Sequence, residues 1–343
     1  MDVLSRLSRI VAAPRALRRW AIATLVANIV IVVTGGLVRL TGSGLGCPTW
    51  PKCSANSYVT HPALGIHGAI EFGNRLLTFG LVAVAVLTWL SALLYREGGR
   101  PRGGAGGSSH PESAQPRGGA GGSSTPESAQ PRRDLRVLTA ALALGIPAQA
   151  VIGGISVLTR LNPFVVALHF LVSMVLIALS VRLVRATWRL PATQARPAAL
   201  AITGLTFGLI WVAVWLGTVL TGSGPHAGDE HAVRTGFNGV LVAQLHAGVV
   251  VATIASTVIC LVLLRTRAAA LLLLVEASQA AIGIVHDLVG VPIWLVALHL
   301  LGAALAIAAA TNLVLSVRRL KRTAGRPESA HGDPDRQPLT ATT

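Results

Sequence analysis

Apolar runs recur along the chain at roughly 20–40, 67–94, 135–158, 164–184, 197–220, 239–264, 268–286 and 293–316. A helix needs ~20 apolar residues to cross the hydrocarbon core of a bilayer. The pattern therefore predicts an all-α polytopic membrane protein with eight transmembrane helices. The seventh run is the least apolar, because it carries Glu276, Gln279 and His286. The first run exceeds the ~7–15 residues of a signal-peptide core, and no small-residue cleavage site follows it, so it reads as a retained first span.

The polar segments set the expected sidedness. Of the 29 Lys and Arg residues, 24 fall at the N-terminus, in the loops after the second, fourth and sixth runs, and in the C-terminal tail. Five fall on the other side: Arg39, Lys52, Arg75, Arg160 and Arg234. Loops on the cytoplasmic face carry the excess of Lys and Arg, which places both termini in the cytoplasm and the loop holding Cys47 and Cys53 outside. A net charge of +16 in a soluble protein would suggest nucleic acid. Here 52% of residues are hydrophobic and only 12% charged, against ~25% charged in a soluble domain. The short basic clusters between spans thus argue for a lipid bilayer as partner and against nucleic acid.

Two kinds of repeat are present. PRGGAGGSSHPESAQ (101–115) recurs as PRGGAGGSSTPESAQ (116–130). Such Gly/Ser/Pro-rich sequence buries too little apolar surface to fold, so 98–133 is expected to be a disordered cytoplasmic connector, and 323–343 a disordered tail. The second repeat lies in the spans. GIPAQAVIGGISVLTRLNPFVVALHF (145–170) matches VEASQAAIGIVHDLVGVPIWLVALHL (275–300) in the register of Gln149/Gln279, Gly153/Gly283 and the VALH ending in His169/His299. TGSG occurs at 41–44 and 221–224, after the first span of each half. The expected organisation is two four-helix bundles: 1–97 with 134–190, and 191–322. Each has an even number of spans, so they are related by a pseudo-twofold axis along the membrane normal.

Ionisable residues within spans are costly and mark candidate sites. His169, His246 and His299 lie five to seven residues into spans four, six and eight. Asn74 takes the place of His246 in span two. At ~1.5 Å per residue these four sit at matched depth, ~8–11 Å below the outer helix ends. Neutral imidazole binds iron, and the core of a helix bundle is a usual place for a haem. The plainer reading is that each His hydrogen-bonds a neighbouring helix. Glu71 shares a face with Asn74 and is one turn before Arg75; it is either half of an ion pair or a carboxylate beside a bound cofactor or substrate. His67, one turn earlier, reads as a solvated side chain, a proton relay or a substitute ligand. Arg39, Arg75 and Arg160 suit haem propionates or ordinary interface anchoring. Cys47 and Cys53 permit a disulfide outside the cell, as a staple or a redox pair. The corresponding loop of the second half carries His226, Asp229, Glu230 and His231, a solvated cluster or a metal site.

GGLVRLTGSGLGCPTWPKC, then IEFGNR in span two and ALH in spans four and eight, closely resembles the haem A synthase family. The resemblance runs through nearly all the spans. It implies an oxidoreductase of the plasma membrane that converts the C8 methyl of haem O to the formyl group of haem A for haem–copper terminal oxidases. It further implies a b-type haem between His246 and His299 and a substrate haem beside His169. Glu71 takes the family's catalytic position, and Cys47 and Cys53 its disulfide pair. Many members have histidine where this chain has Asn74, so the substrate iron is left with His169 alone or with His67 recruited. Pathway logic adds the farnesyltransferase that makes haem O, terminal-oxidase assembly factors and a homo-oligomer as partners. The competing functions are a membrane cytochrome that carries electrons without modifying its haem, and a haem transporter or chaperone.

Overall fold

The computed structural model describes residues 14–95, 130–224, 232–290 and 292–320. Residues 98–129, the tail from 321 and the cluster His226, Asp229, Glu230 and His231 lie outside the described residues.

Eight long helices dominate: α1 (Pro14–Leu40), α2 (Gly65–Leu94), α3 (Gln130–Leu158), α4 (Pro163–Trp188), α5 (Pro197–Ser223), α6 (Gly239–Leu264), α7 (Arg267–Val289) and α8 (Ile293–Leu315). All eight are long and apolar enough to cross a membrane, including the polar-bearing seventh. This is an all-α, multi-pass membrane protein.

Several helices outrun their apolar stretches. α1 starts at Pro14 rather than near 20, and α4 continues to Trp188 rather than 184. These extra turns carry arginines, a side chain whose apolar stem can cover a neighbouring surface while its charged head stays in water. Arg18 donates from Nε to the Thr187 carbonyl at 3.1 Å and sits 5.3 Å from the Trp188 ring centroid. Helix starts follow local chemistry. The Asn162 side chain caps α4 with Pro163 at its first position, and Asn238 accepts from Val240 and Leu241 at the start of α6.

The principal packed pairs are α1·α2, α2·α3, α3·α4 and α1·α4, and then α5·α6, α6·α7, α7·α8 and α5·α8. The pairs that join these rings are α1·α8, α4·α5 and α4·α8. Advancing every label by four, cyclically, leaves this set unchanged. One buried cluster fills the first ring, around Leu81, Leu142, Ile146 and Leu183. The other fills the second ring and reaches across to Val32 of α1 and Met174 and Ile177 of α4. α8 is suited to this crowded place by its small buried face of Gly302, Ala304, Ala306, Ala309 and Ala310. Lipid tails are as apolar as Leu, so close backbone approach and interhelical hydrogen bonds hold such bundles together. Gly36 of α1 meets the Leu300 side chain where a Cβ would lie. Thr24 and Thr88 join α1 to α2 at 2.8 Å, and Thr206 and Ser256 join α5 to α6 at 2.6 Å.

At the end of the bundle where α1 begins and α8 ends, β1 (Thr193–Ala195) pairs in parallel with β2 (Val317–Arg319). The segment linking α4 to α5 is thereby tied to the end of α8. Arg185 adds a 2.6 Å bond to Asn312 Oδ1. The outcome is that α4 and α8, the helices carrying His169 and His299, pack directly against each other in the middle of the molecule.

Candidate functional site

The segment between α1 and α2 folds back onto the start of α2. Cys47 and Cys53 are joined by a disulfide, and both are fully buried. The loop backbone lies directly on the helix backbone: a Cβ on Gly46 would collide with the His67 carbonyl, and one on Gly68 would come within 2.5 Å of Leu64 Cβ. This approach lets the Cys47 N–H donate to Glu71 Oε2 at 2.7 Å. Arg75 pairs with Glu71 Oε1 at 2.5 Å and donates to the carbonyls of Cys47, Thr49 and Lys52 at 3.1–3.2 Å. Glu71 is only 5% exposed, so this is a desolvated clamp rather than a surface ion pair. His67 stands two residues into α2, exposed, with Nδ1 2.9 Å from Ser43 Oγ.

Opening the disulfide releases a short closed loop, which costs about 2 kcal/mol in the chain-entropy account. Cys47→Ser is therefore expected to lower both the thermal midpoint and the activity of the purified protein. Full activity without the bridge would leave it only a staple.

Trp50, at the tip of this loop, reaches α3. Its indole covers Gly154, where a Cβ would overlap the ring. The preceding Gly153 faces His169 of α4, whose Cε1 would be 3.1 Å from a Cβ there. The loop thus packs on α3 at Gly154, next to the glycine of α3 that faces His169 of α4. Gln149 Nε2 donates to the His169 carbonyl at 2.9 Å and to Ser173 Oγ, fixing that turn of α4. Alanine at 154 displaces Trp50; overpacking of this kind costs ~1–3 kcal/mol. Gly154→Ala should accordingly speed tryptic cleavage after Lys52 by about tenfold, and an unchanged rate would contradict the contact.

In the second ring, His246 of α6 and His299 of α8 face one another with ring centroids 6.5 Å apart and planes at 71°. Gly217 of α5 leaves room beside His246, with Cε1 3.5 Å from the place of a Cβ. The Gln279 side chain of α7 occupies the space over Gly302 of α8, one turn below His299. Another turn down α7, Glu276 accepts from Thr257 Oγ1 at 2.9 Å and is 6% exposed.

Depth is less uniform than the sequence pattern predicts. His169 and His299 each lie six residues past the first residue of their helix and His246 seven, but α2 begins at Gly65, so Asn74 lies nine in. The difference is ~3–5 Å along the axis. The extra turn of α2 is the part on which the disulfide loop rests.

Buried polar atoms normally have partners. Here Asn74 Oδ1, Gln149 Oε1 and His169 Nδ1 have none, and neither do His246 Nδ1, Gln279 Oε1 and His299 Nδ1. These are the three residue pairs that the sequence repeat relates. Among the described residues no group of three or more His, Cys, Asp and Glu side chains converges as a metal site. A haem asks less, because its macrocycle supplies four nitrogens and the protein one or two axial ligands. Two metal–nitrogen bonds of ~2 Å and the half-widths of two imidazoles come to ~6–6.5 Å. The His246–His299 separation therefore fits one iron between them.

Trp50, Gln149 and Glu276 were not predicted as site residues. Gln149 had a signal in the repeat register and Glu276 in being an acid inside a span, whereas Trp50 had none.

Fold and site together define a polytopic membrane protein with facing intramembrane histidines and a disulfide-closed loop on the first pair of helices. Residues 18–64 match the family described as COX15-CtaA, Cytochrome oxidase assembly protein. The chain is 35% identical over 78 residues to Heme A synthase of Bacillus licheniformis, covering 22% of this chain and 25% of that one. It is 28% identical over 162 residues to Heme A synthase of Lysinibacillus sphaericus, covering 47% of this chain and 41% of that one. Heme A synthase of Alkalihalophilus pseudofirmus is 35% identical over 72 residues, 21% of this chain and 23% of that one. These matches span well under two thirds of the relatives' lengths. Over those segments the chain is similar to proteins named Heme A synthase.

Proposed function

We propose that this chain is a haem A synthase, which oxidises the C8 methyl of haem O to a formyl group for use in haem–copper terminal oxidases. The observation that carries this reading is the set of buried, unpartnered atoms at repeat-related positions in both rings, with His246 and His299 spaced for one iron. In this reading α1–α4 and α5–α8 are two related halves with different work, and the exchangeable pattern of helix contacts supports it.

His246 and His299 would hold a resident b-type haem, which would supply one-electron transfer when bound. His169, braced by Gln149 and backed by Gly153, faces the substrate haem O. Asn74 is a poor iron ligand, so the substrate iron takes its protein ligand from His169. That single bond suits a molecule that must enter and leave. Glu71 and Arg75 anchor the Cys47–Cys53 loop, which carries Trp50 over the His169 side of the bundle. Glu71 is the carboxylate at the reacting end, and its hold on the loop couples loop position to its own charge. The excess of Lys and Arg at the termini supports a plasma-membrane orientation with both termini in the cytoplasm and the Cys47–Cys53 loop outside.

A bacterial strain that makes haem O but lacks its own synthase tests the activity. The chain should restore the absorption of a haem A-containing oxidase, and membranes that stay haem O-only despite folded protein would exclude the reading.

A further inference from the structure

Glu276 has no role in the haem assignments above. It sits nine residues into α7, near the middle of that span, and is 6% exposed. One carboxylate oxygen accepts from Thr257 Oγ1 at 2.9 Å; the other, Oε2, is buried with no partner. Its repeat counterpart in the first half is Ile146, so it does not belong to the common framework. The two helices packed on this part of α7 are α6 and α8. Their titratable residues are His246 and Cys260 on α6 and His299 on α8; α7 itself adds Arg267, His286 and Asp287 towards its ends. No described Lys or Arg pairs with the carboxylate.

Glu276 and Gln279 share a face of α7 at i, i+3. Gln279 covers Gly302, which is one turn from His299 on α8. Two rises of three residues put the carboxyl group roughly 9 Å from the level of His299. Glu276 Oε2, Gln279 Oε1 and His299 Nδ1, at successive turns of α7 and α8, are each buried without a partner. Such atoms suit a small number of internal waters, each needing two to four polar partners.

We propose that Glu276 is a proton-binding site coupled to the iron held by His246 and His299, and that it takes up one proton as that iron is reduced. The inference rests on the haem b assignment under Proposed function. Reduction of ferric to ferrous iron adds one electron, supplied in the test by an external reductant, and removes one positive charge from the centre. At roughly 10 Å in a medium of low dielectric, that change acts strongly on an unscreened carboxylate. A proton binds to Oε2 and restores the local charge, while Thr257 keeps its bond to the other oxygen. By reciprocity the proton eases reduction of the iron.

The test is a redox titration of the purified, haem-loaded protein across pH, with a reduced-minus-oxidised infrared difference spectrum. In the wild type the midpoint potential falls as pH rises, and a protonated-carboxyl band appears on reduction. Glu276→Gln abolishes both while keeping the bis-histidine absorption; Glu276→Asp keeps the slope and moves the band. Thr257→Val, which removes the hydroxyl donor without touching the carboxyl, moves the sloping region to higher pH. An unchanged slope and band in Glu276→Gln overturn the proposal alone. Absence of any b-type spectrum in the wild type overturns it together with the ligand assignment on which it stands.

Discussion

Replacing His299 with alanine is expected to abolish the low-spin b-type absorption of the purified protein, and replacing His246 should do the same. The two imidazoles are 6.5 Å apart on two different helices, so neither can take over the other's place. Loss of a group merely supporting a ligand costs ~10–100-fold in metal affinity; loss of the ligand itself should exceed that. The double variant should be no worse than either single one, because a haem that needs both histidines would be lost with either. His169→Ala should leave this spectrum in place, since His169 belongs to the other ring. Absorption spectra of the three proteins at equal concentration decide the matter. A wild-type spectrum in both His246→Ala and His299→Ala would remove the haem b assignment.

The second large effect is expected at Glu71. Glu71→Ala should stop turnover while the b-type spectrum remains. It also leaves the Cys47 N–H without its acceptor and Arg75 with only its three carbonyl partners, at a cost of about 1–3 kcal/mol. The loop should therefore become more open to protease as activity disappears. Glu71→Gln separates the two roles, because its amide oxygen still accepts from Cys47 while the negative charge is gone. If the charge acts in the reaction, Glu71→Gln keeps the loop protected and still fails to turn over. Unimpaired turnover in Glu71→Ala would reduce Glu71 to half of a clamp.

The helices were legible because membrane insertion depends on long apolar runs, and each of the eight produces one. Even α7 was recognisable, since Glu276 and Gln279 interrupt a stretch that is otherwise rich in Leu, Ala, Ile and Val. Helix ends were less legible: Pro14–Arg19 and Arg185–Trp188 are charged or amphipathic and look like loop in a hydropathy pattern. His169, His246 and His299 stood out because a polar ring within a span has few structural excuses. Contacts between elements left no such trace. Glu71 meets the Cys47 backbone, Arg75 meets three carbonyls and Trp50 meets a glycine. Backbone groups and a missing Cβ are the same in any sequence context, so only the folded chain reveals these pairings. The depth of Asn74 differs from the pattern for a related reason: α2 begins at Gly65, where the Gly46 backbone rests on His67 and Gly68, and hydropathy does not register such a contact.

The most direct measurement of the central claim is mass analysis of haems extracted from cells that make haem O and express this chain as their sole synthase candidate. Haem A should appear with the wild type and be absent with Glu71→Ala, although both proteins accumulate in the membrane and both show the b-type spectrum. Haem O alone beside folded, haem-loaded wild-type protein would contradict the account and leave an electron-carrying cytochrome in its place.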